Sequence, residues 1–264
     1  MSSPSAGTLT RRTVGTFEVN VWSAGAGSPL VYLHGYERHP GGAAFLQRLA
    51  EHHLVYAPEQ PGYGTSSGLT DVRDILDLVL FYRSLIKGWG HDRVAVVGHS
   101  TGGMLAAELA IVAPELVDKL ILVDAFDLWI DDLPTLDPFG PAALVAEAMW
   151  HDPQRRPDPE PTIFVDDPND PAASHLFEAQ NRAAATKLMW PIAERGLRRR
   201  LPYLAAPTLI VHGASDGLLP LRYAIELNEL VPGSELGVIE QAGHYPMIEQ
   251  ETEFLARVED FLRA

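Results

Sequence analysis

The sequence predicts an α/β fold in which helices cover a mainly parallel sheet. Short apolar runs rich in Val, Ile and Leu alternate with longer segments whose apolar residues have helical spacing. Loops rich in Gly, Pro or polar residues separate them. The 264 residues, 46% of them hydrophobic, suit a globular protein with one large domain or two small ones.

The first half of the chain supplies a hairpin and then the first parallel strands. Two alternating segments form the hairpin, with Gly15 in the turn, at residues 8–12 and 16–22. Apolar runs predict four further strands, at residues 30–33, 54–57, 94–97 and 120–124. Helices are expected at residues 45–52, 70–88 and from 102 onward. Thr70 and Asp71 are the predicted cap of the second helix.

Residues 126–201 differ from the rest of the chain. Prolines cluster there, helical patterns cover residues 141–150 and 172–190, and no segment has a strand pattern. We therefore expect a helical cap at 126–201, inserted into a core domain made of residues 1–125 and 202–264. The alternation then resumes with strands at 207–212 and 234–239 and helices at 219–230 and 251–262.

The charge and the absence of cysteine restrict the possible partners. A net charge of −15 disfavours nucleic acid and anionic membranes as partners. The expected partner is a small-molecule substrate. Without cysteine there is no disulfide framework and no thiolate metal site, and no metal or cofactor is expected. No apolar run approaches a membrane span, and the first residues lack the apolar core of a secretory signal. A cytoplasmic location is expected, and monomer and homodimer both remain possible.

The segment around Ser100 carries the strongest functional signal. Residues 98–102 have the pattern Gly-x-Ser-x-Gly between a predicted strand and a predicted helix. A serine at such a tight turn needs a strained backbone, and side chains at Gly98 or Gly102 would crowd it. The pattern alone could be a glycine-rich turn, but its context favours a nucleophile elbow.

Two loops at the carboxyl ends of later strands supply partners for Ser100. A serine hydroxyl needs a base to become nucleophilic, and the base needs an orienting acid. His244 is the predicted base and Asp216 the predicted acid, in the chain order expected with this elbow. Asp124, at the end of an earlier strand, is the competing acid. The backbone N–H groups of Tyr36 and Thr101 are the predicted oxyanion donors.

Together these motifs resemble the α/β-hydrolase superfamily over nearly the whole chain. The matching segments are residues 33–36, 61–66, 98–103, 207–213, Asp216 and residues 243–246. The resemblance implies an α/β-hydrolase fold, with an eight-stranded, mostly parallel sheet and a cap inserted after the sixth strand. It also implies that Glu59 holds the loop that follows it.

Within this superfamily, a serine at the elbow indicates acyl transfer rather than the chemistry of enzymes with an elbow aspartate. We expect a serine hydrolase that cleaves esters of small to medium, apolar substrates. A C–C bond hydrolase of the meta-cleavage-product type is the first alternative. It is weakened by Tyr245 where such enzymes usually have Trp, and by an oxyanion loop without their glycines. A lactonase, an amidase and a non-catalytic ligand receptor also remain open.

Substrate contacts are expected from large side chains of the cap and from residues beside the triad. His99 and Tyr245 flank the predicted nucleophile and base. The cap contributes aromatic and methionine side chains, which more often pack than bind ligands: Trp129, Phe139, Met149, Trp150, Phe164, Phe177, Met189 and Trp190.

Overall fold

The centre of the protein is an eight-stranded sheet. The structure is a computed structural model that describes residues 7–126, 128–157, 170–190 and 195–264. The strands are β1 (Thr8–Val14), β2 (Phe17–Ala24), β3 (Ser28–Leu33), β4 (His53–Pro58), β5 (Val94–His99), β6 (Val117–Val123), β7 (Thr208–Gly213) and β8 (Glu235–Ile239). Their order in the sheet is β1-β2-β4-β3-β5-β6-β7-β8. Only β2 pairs antiparallel with its neighbours, so the predicted mostly parallel sheet is confirmed.

Helices follow most of the strands, as the alternating sequence pattern predicts. In the described part of the chain they are α1 (Ala44–Leu49), α2 (Ile75–Gly88), α3 (Thr101–Val112), α4 (Ala142–Met149), α5 (Pro171–Met189), α6 (Leu197–Arg200), α7 (Arg222–Leu230), α8 (Pro246–Glu249) and α9 (Glu251–Arg263). Short 3₁₀ helices lie at Pro153–Arg155 and Leu201–Tyr203. None of the helices in these ranges is long and apolar enough to cross a bilayer.

Both faces of the sheet are buried, which explains why its central strands are continuous apolar runs. Val31 and Leu33 of β3 pack in a cluster that includes the buried residues of α2 and α3. Leu30 and Tyr32 of the same strand point to the other face, where α1 and α9 cover them. Because β3, β5, β7 and β8 run parallel, their carboxyl ends lie at one edge of the sheet.

The start of α2 differs from the prediction. The sequence pattern placed the cap at Thr70 and Asp71, but the helix begins at Ile75 with Asp74 as its N-cap. The Asp74 carboxylate accepts hydrogen bonds from the two N–H groups at positions 76 and 77, over 2.8 and 3.2 Å. Residues 68–72 form a turn instead, in which the N–H groups of Asp71 and Val72 both donate to the Gly68 carbonyl. An aspartate can cap at either position, so the cap rule alone did not distinguish them.

The buried face of α2 contains only some of its apolar residues. Leu76 and Leu80 are 50% and 45% exposed. The side chains that face the sheet include Leu78, Phe81 and Tyr82. These residues recur every three or four positions and so lie on one side of a helix with about 100° per residue, whereas Leu76 and Leu80 lie on the other side.

The segment between β6 and β7 contains helices and no strand in its described residues, 128–157, 170–190 and 195–207. Helices α4 and α5 provide its longest elements. This agrees with a helical insertion after the sixth strand, while the division into a core domain and a cap domain at residues 126 and 201 stays a prediction.

Candidate active site

Ser100 sits at the turn between β5 and α3 in a conformation that few non-glycine residues adopt. Its φ and ψ are 54° and −121°. A Cβ at Gly98 would overlap the Gly102 carbonyl oxygen, and a Cβ at Gly102 would overlap the Leu33 carbonyl oxygen. The two glycines therefore allow the close backbone contacts that hold the strained turn, as the sequence pattern predicts.

A chain of hydrogen bonds connects the three predicted catalytic side chains. The His244 imidazole lies with Nε2 3.0 Å from the Ser100 hydroxyl oxygen. Its Nδ1 lies 2.7 Å from a carboxylate oxygen of Asp216. A carboxylate accepts only, so Nδ1 carries the proton and Nε2 is free to accept the serine proton. The three side chains come from the ends of β5, β7 and β8, at one edge of the sheet.

The Asp216 carboxylate is held in place by further donors. The oxygen that does not face His244 accepts the N–H groups of Leu218 and Leu219 over 2.8 and 3.0 Å. Burial alone would raise the pKa of Asp216, but the nearby His244 and His212 and the Leu219 amide outweigh it and hold this pKa below its usual value. Asp216 is therefore ionised at neutral pH, which suits an orienting acid.

Asp124, the competing acid, contacts other groups. One of its oxygens accepts the Gly213 N–H over 3.0 Å and lies 3.4 Å from Nδ1 of His212. Burial, and then the negative charge of Asp216, raise its pKa well above the usual value. His244 Nδ1 lies 2.7 Å from Asp216, so the geometry favours Asp216 as the acid.

Asp124, His212 and Asp216 also form a compact group of potential metal ligands, with one atom of each within 4.8 Å of the others. The two aspartates among them already accept N–H donors. Asp216 accepts three N–H donors, and His212 donates from Nε2 to the Leu219 carbonyl over 2.8 Å. We therefore interpret the group as a hydrogen-bonded support for the triad acid.

The loop after β3 passes directly beside Ser100. A Cβ at Gly35 would lie 3.0 Å from the Ser100 Cβ, so glycine permits this approach. Neither the Tyr36 N–H nor the Thr101 N–H takes part in a hydrogen bond among the described residues. Both amides are thus available as oxyanion donors, and Thr101 is the first residue of α3, where the helix dipole is positive.

Buried polar side chains hold the two loops that border the site. His34 accepts the Gln60 N–H at Nε2 over 2.9 Å and donates from Nδ1 to the Gly35 carbonyl over 2.8 Å. Burial lowers the pKa of His34 to about 4, so the ring is neutral at physiological pH. Glu59 accepts the hydroxyl and the N–H of Ser66 over 2.8 and 3.1 Å, which agrees with its expected role as a loop anchor.

Two cavities adjoin this region. The larger, of about 390 Å³, lies between the α4 and α5 helices and the loop after β3. Its wall combines apolar side chains with polar ones, including Tyr36, Phe139, Val145, Met149, Arg38, Asn181 and Arg182. The smaller, of about 40 Å³, is lined by Gly35, His99, Trp150 and Tyr245 among others. Ser100 and His244 are themselves completely buried.

The predicted substrate-contacting residues separate into two groups. Met149 and Trp150 line the larger cavity, and His99, Trp150 and Tyr245 line the smaller one. Phe139 also lines the larger cavity. The Tyr245 ring stacks on Trp150 at 4.9 Å, and its hydroxyl donates to the Glu37 carboxylate.

The second group lines neither of these two cavities. The Trp129 indole N–H donates to Asp131 over 3.0 Å. Met189 is packed in the core, and Trp190 is 55% exposed. Phe177 packs against Gly64, because its ring would lie 2.8 Å from a Cβ at that glycine. Phe164 lies outside the described residues. Large side chains at the four described positions serve packing or the surface, which composition alone did not separate from ligand binding.

Sequence reasoning missed several polar residues near the site. Asn181 is buried, accepts the Gly64 N–H over 2.8 Å and lines the larger cavity beside Arg182. Glu249 is buried next to the His244 loop. Asn181 and Arg182 lie within α5, and Glu249 lies five residues after the predicted base. No spacing rule marked any of them.

A comparison with sequence models of known protein families shows which family the chain belongs to. A sequence model described as the alpha/beta hydrolase family matches residues 30–258. The chain belongs to the alpha/beta hydrolase family. Its coarse activity follows from this membership: the protein is a hydrolase.

Relatives of this alpha/beta hydrolase include enzymes with different named substrates. The chain is 28% identical over 272 residues to a 2-hydroxy-6-oxo-2,4-heptadienoate hydrolase of Pseudomonas putida, and the match covers 95% of this chain and 94% of the relative. It is 27% identical over 277 residues to a pimeloyl-[acyl-carrier protein] methyl ester esterase of Aliivibrio fischeri, covering 90% and 95%.

A solved structure agrees with the fold of this alpha/beta hydrolase. It is that of 2-hydroxy-6-oxo-6-phenylhexa-2,4-dienoate hydrolase from Rhodococcus sp. strain RHA1, which matches with a TM-score of 0.77. The sequence identity is 23%, and the match covers 98% of this chain and 99% of the other.

Proposed function

We propose that this alpha/beta hydrolase cleaves carboxylic esters through an acyl-enzyme on Ser100. The observation that carries the proposal is the hydrogen-bond chain from Ser100 through His244 to Asp216, with distances of 3.0 and 2.7 Å. This arrangement gives a serine hydroxyl a base and gives the base a fixed tautomer.

The reaction would proceed in two halves. Ser100 Oγ attacks the ester carbonyl carbon while His244 Nε2 takes the hydroxyl proton, and the Tyr36 and Thr101 amides bind the resulting oxyanion. Collapse of the tetrahedral intermediate breaks the bond to the alkoxy oxygen, which receives the proton from His244. Water, deprotonated by His244, then attacks the acyl-enzyme, and its proton returns to Ser100 as the acid leaves.

The larger cavity supports an ester of small to medium size. Its volume of about 390 Å³ falls at the lower end of typical small-molecule pockets, roughly 300–1,000 Å³. Apolar side chains such as Phe139, Val145 and Met149 would contact an acyl chain. Ser100 is completely buried and is not among the residues that line this cavity, so substrate entry requires side-chain movement. Tyr36 lines the cavity, and its hydroxyl donates to Met149 Sδ over 3.3 Å.

C–C bond hydrolysis is the second candidate, and two observations favour it. The Pseudomonas putida relative is named for a dienoate, an anionic substrate. The larger cavity contains hydrogen-bond donors suited to an anion, the Asn181 amide and the Arg182 guanidinium. Arg38 and Arg156 also line that cavity, and Glu37 and Glu178 oppose their charge. We place ester hydrolysis first because Tyr245 stands where C–C bond hydrolases usually have Trp.

A substrate panel tests the two candidates. Purified protein is assayed with p-nitrophenyl esters of increasing acyl length and with a vinylogous diketone acid, beside Ser100→Ala as control. We expect turnover of the esters with an optimum at short to medium chains, and none by the variant. Turnover of the diketone acid alone would replace the ester proposal with the C–C one. Failure of a fluorophosphonate to label the folded protein would favour a binding protein.

A further inference from the structure

Glu249 is a buried carboxylate that the proposed reaction does not use. It is the last residue of α8, and 1% of its surface is exposed. One carboxylate oxygen accepts the N–H groups of Gly243 over 2.6 Å and His151 over 3.2 Å. The other accepts the Asp152 N–H over 2.9 Å. Three backbone donors thus converge on one side chain.

These donors belong to two segments far apart in the sequence. Gly243 immediately precedes His244, the proposed base. His151 and Asp152 follow α4, the helix whose inner residues line the larger cavity. Glu249 therefore joins the end of α4 to the loop that carries the base.

Direct backbone contacts cross the same junction. The His244 N–H donates to the Met149 carbonyl over 2.7 Å, and the Gly217 N–H donates to the Ala148 carbonyl over 2.8 Å. A Cβ at Gly243 would overlap the Met149 carbonyl oxygen, so the two chains are in direct contact. The end of α4 thereby touches both the loop of His244 and the loop of Asp216.

We propose that Glu249 is a positioning residue, which fixes His244 relative to Ser100 by holding the end of α4 against the His244 loop. The inference rests on the proposed role of His244 as base. Without the carboxylate, the N–H groups of Gly243, His151 and Asp152 would lose a buried acceptor, and the junction would open to restore hydrogen bonding. His244 would then leave its position 3.0 Å from the serine hydroxyl for part of the time.

The same junction connects substrate binding to the base. Met149 and Val145 line the larger cavity, and the Met149 carbonyl accepts the His244 N–H. A substrate that packs against the Met149 side chain would therefore contact the same residue whose carbonyl accepts the His244 N–H. Glu249 itself lines neither of the two cavities, so its loss should lower kcat rather than weaken substrate binding.

Glu249→Gln tests the proposal, since the amide has the same shape but offers an N–H₂ group where one N–H donor needs an acceptor. Activity is measured with the best ester of the panel and divided by the number of serines that a fluorophosphonate labels, which removes any unfolded fraction. We expect kcat per labelled site to fall by about 10-fold or more, with KM within about 2-fold, as for a misplaced catalytic group. The downfield proton signal of His244 Nδ1–H should broaden or shift in the same variant.

Glu251→Gln, two positions further on at the start of α9, is the matched control and should leave kcat unchanged. If Glu249→Gln fails to fold, Glu249→Asp takes its place with the same readouts, because it keeps the charge but shortens the reach. Wild-type kcat per labelled site in the folded variant, or unfolding of both variants, would contradict the proposal. Absence of labelling in the wild-type protein would instead overturn the proposed function on which it rests.

Discussion

The His99 imidazole donates from Nε2 to the backbone carbonyl oxygen of His244 over 2.8 Å. A carbonyl only accepts, so this bond requires the proton on Nε2. Burial lowers the pKa of His99 to about 3, and the neighbouring His244 adds to this effect. His99, the residue before Ser100, is therefore a neutral donor that fixes the backbone of the proposed base.

His99→Phe tests this relationship. Phenylalanine fills a similar volume but leaves the His244 carbonyl without its donor, which costs about 1–3 kcal/mol of the free energy of unfolding for a buried acceptor. Urea unfolding of the variant and the wild-type protein measures the difference, and ester turnover should fall with it. An unchanged unfolding free energy would show that the carbonyl finds another partner.

The two aspartates near His244 should respond differently to the same change. Asp216→Asn places an amide N–H₂ or a weaker acceptor against His244 Nδ1, which disturbs the tautomer, so kcat should fall on the order of 10³–10⁴-fold. Asp124→Asn keeps an oxygen for the Gly213 N–H and leaves the hydrogen bond between Asp216 and His244 in place, so kcat should change little. Steady-state kinetics of both variants decides, and the reverse ranking would move the acid to Asp124.

Glu59 should make stability depend on pH. Burial raises its pKa from 4.5 to about 7, against the opposing hydrogen bonds of Asn20 and Ser66. The folded state therefore holds the proton more tightly than the unfolded chain. The associated stabilisation is complete below about pH 4.5 and is lost as the pH rises through about 7.

Glu59→Gln, which resembles the protonated side chain, removes this dependence. Relative to the wild-type protein, the variant should gain up to about 3 kcal/mol in unfolding free energy between pH 4.5 and pH 8. Urea unfolding at both pH values measures the gain, with the partly exposed Glu51→Gln as control. An equal difference at the two pH values would mean that Glu59 does not titrate in this range.

The larger cavity should set the acyl length. Ala146 lines it, whereas Ala143 lies on the exposed side of the same helix. Ala146→Phe should lower kcat/KM for the longer p-nitrophenyl esters by about 10-fold or more relative to the shortest, because a ring occupies the space of the chain. Ala143→Phe should leave the ratio of long to short esters as in the wild-type protein. Equal effects of the two substitutions would place the acyl chain elsewhere.

The sequence predicts the sheet and the triad because both depend on local patterns and chain order. Apolar runs mark the strands whose carboxyl ends carry Ser100, Asp216 and His244. Because parallel strands end at one edge, three distant residues could be expected to meet. The glycines around Ser100 added a steric requirement that the close contacts of Gly98 and Gly102 satisfy.

The parts that escaped prediction depend on contacts without a sequence pattern. Glu249 accepts backbone N–H groups 97 and 98 positions earlier in the chain, and any residue type can supply such a donor. The N-cap of α2 is Asp74 rather than the predicted Thr70 and Asp71, because either aspartate satisfies the capping rule. Trp129 and Trp190 are of a residue type that often contacts ligands. In the structure, however, Trp129 donates a hydrogen bond to Asp131 and Trp190 faces solvent.

Trapping the covalent intermediate on Ser100 tests the central claim most directly. The protein is mixed with a p-nitrophenyl ester, quenched in acid within the first turnover and analysed by intact and peptide mass spectrometry. We predict an added acyl mass on the peptide that contains Ser100, a matching burst of p-nitrophenolate, and neither with Ser100→Ala. Steady turnover of the ester by folded Ser100→Ala, or an acyl group found on another residue, would contradict the account.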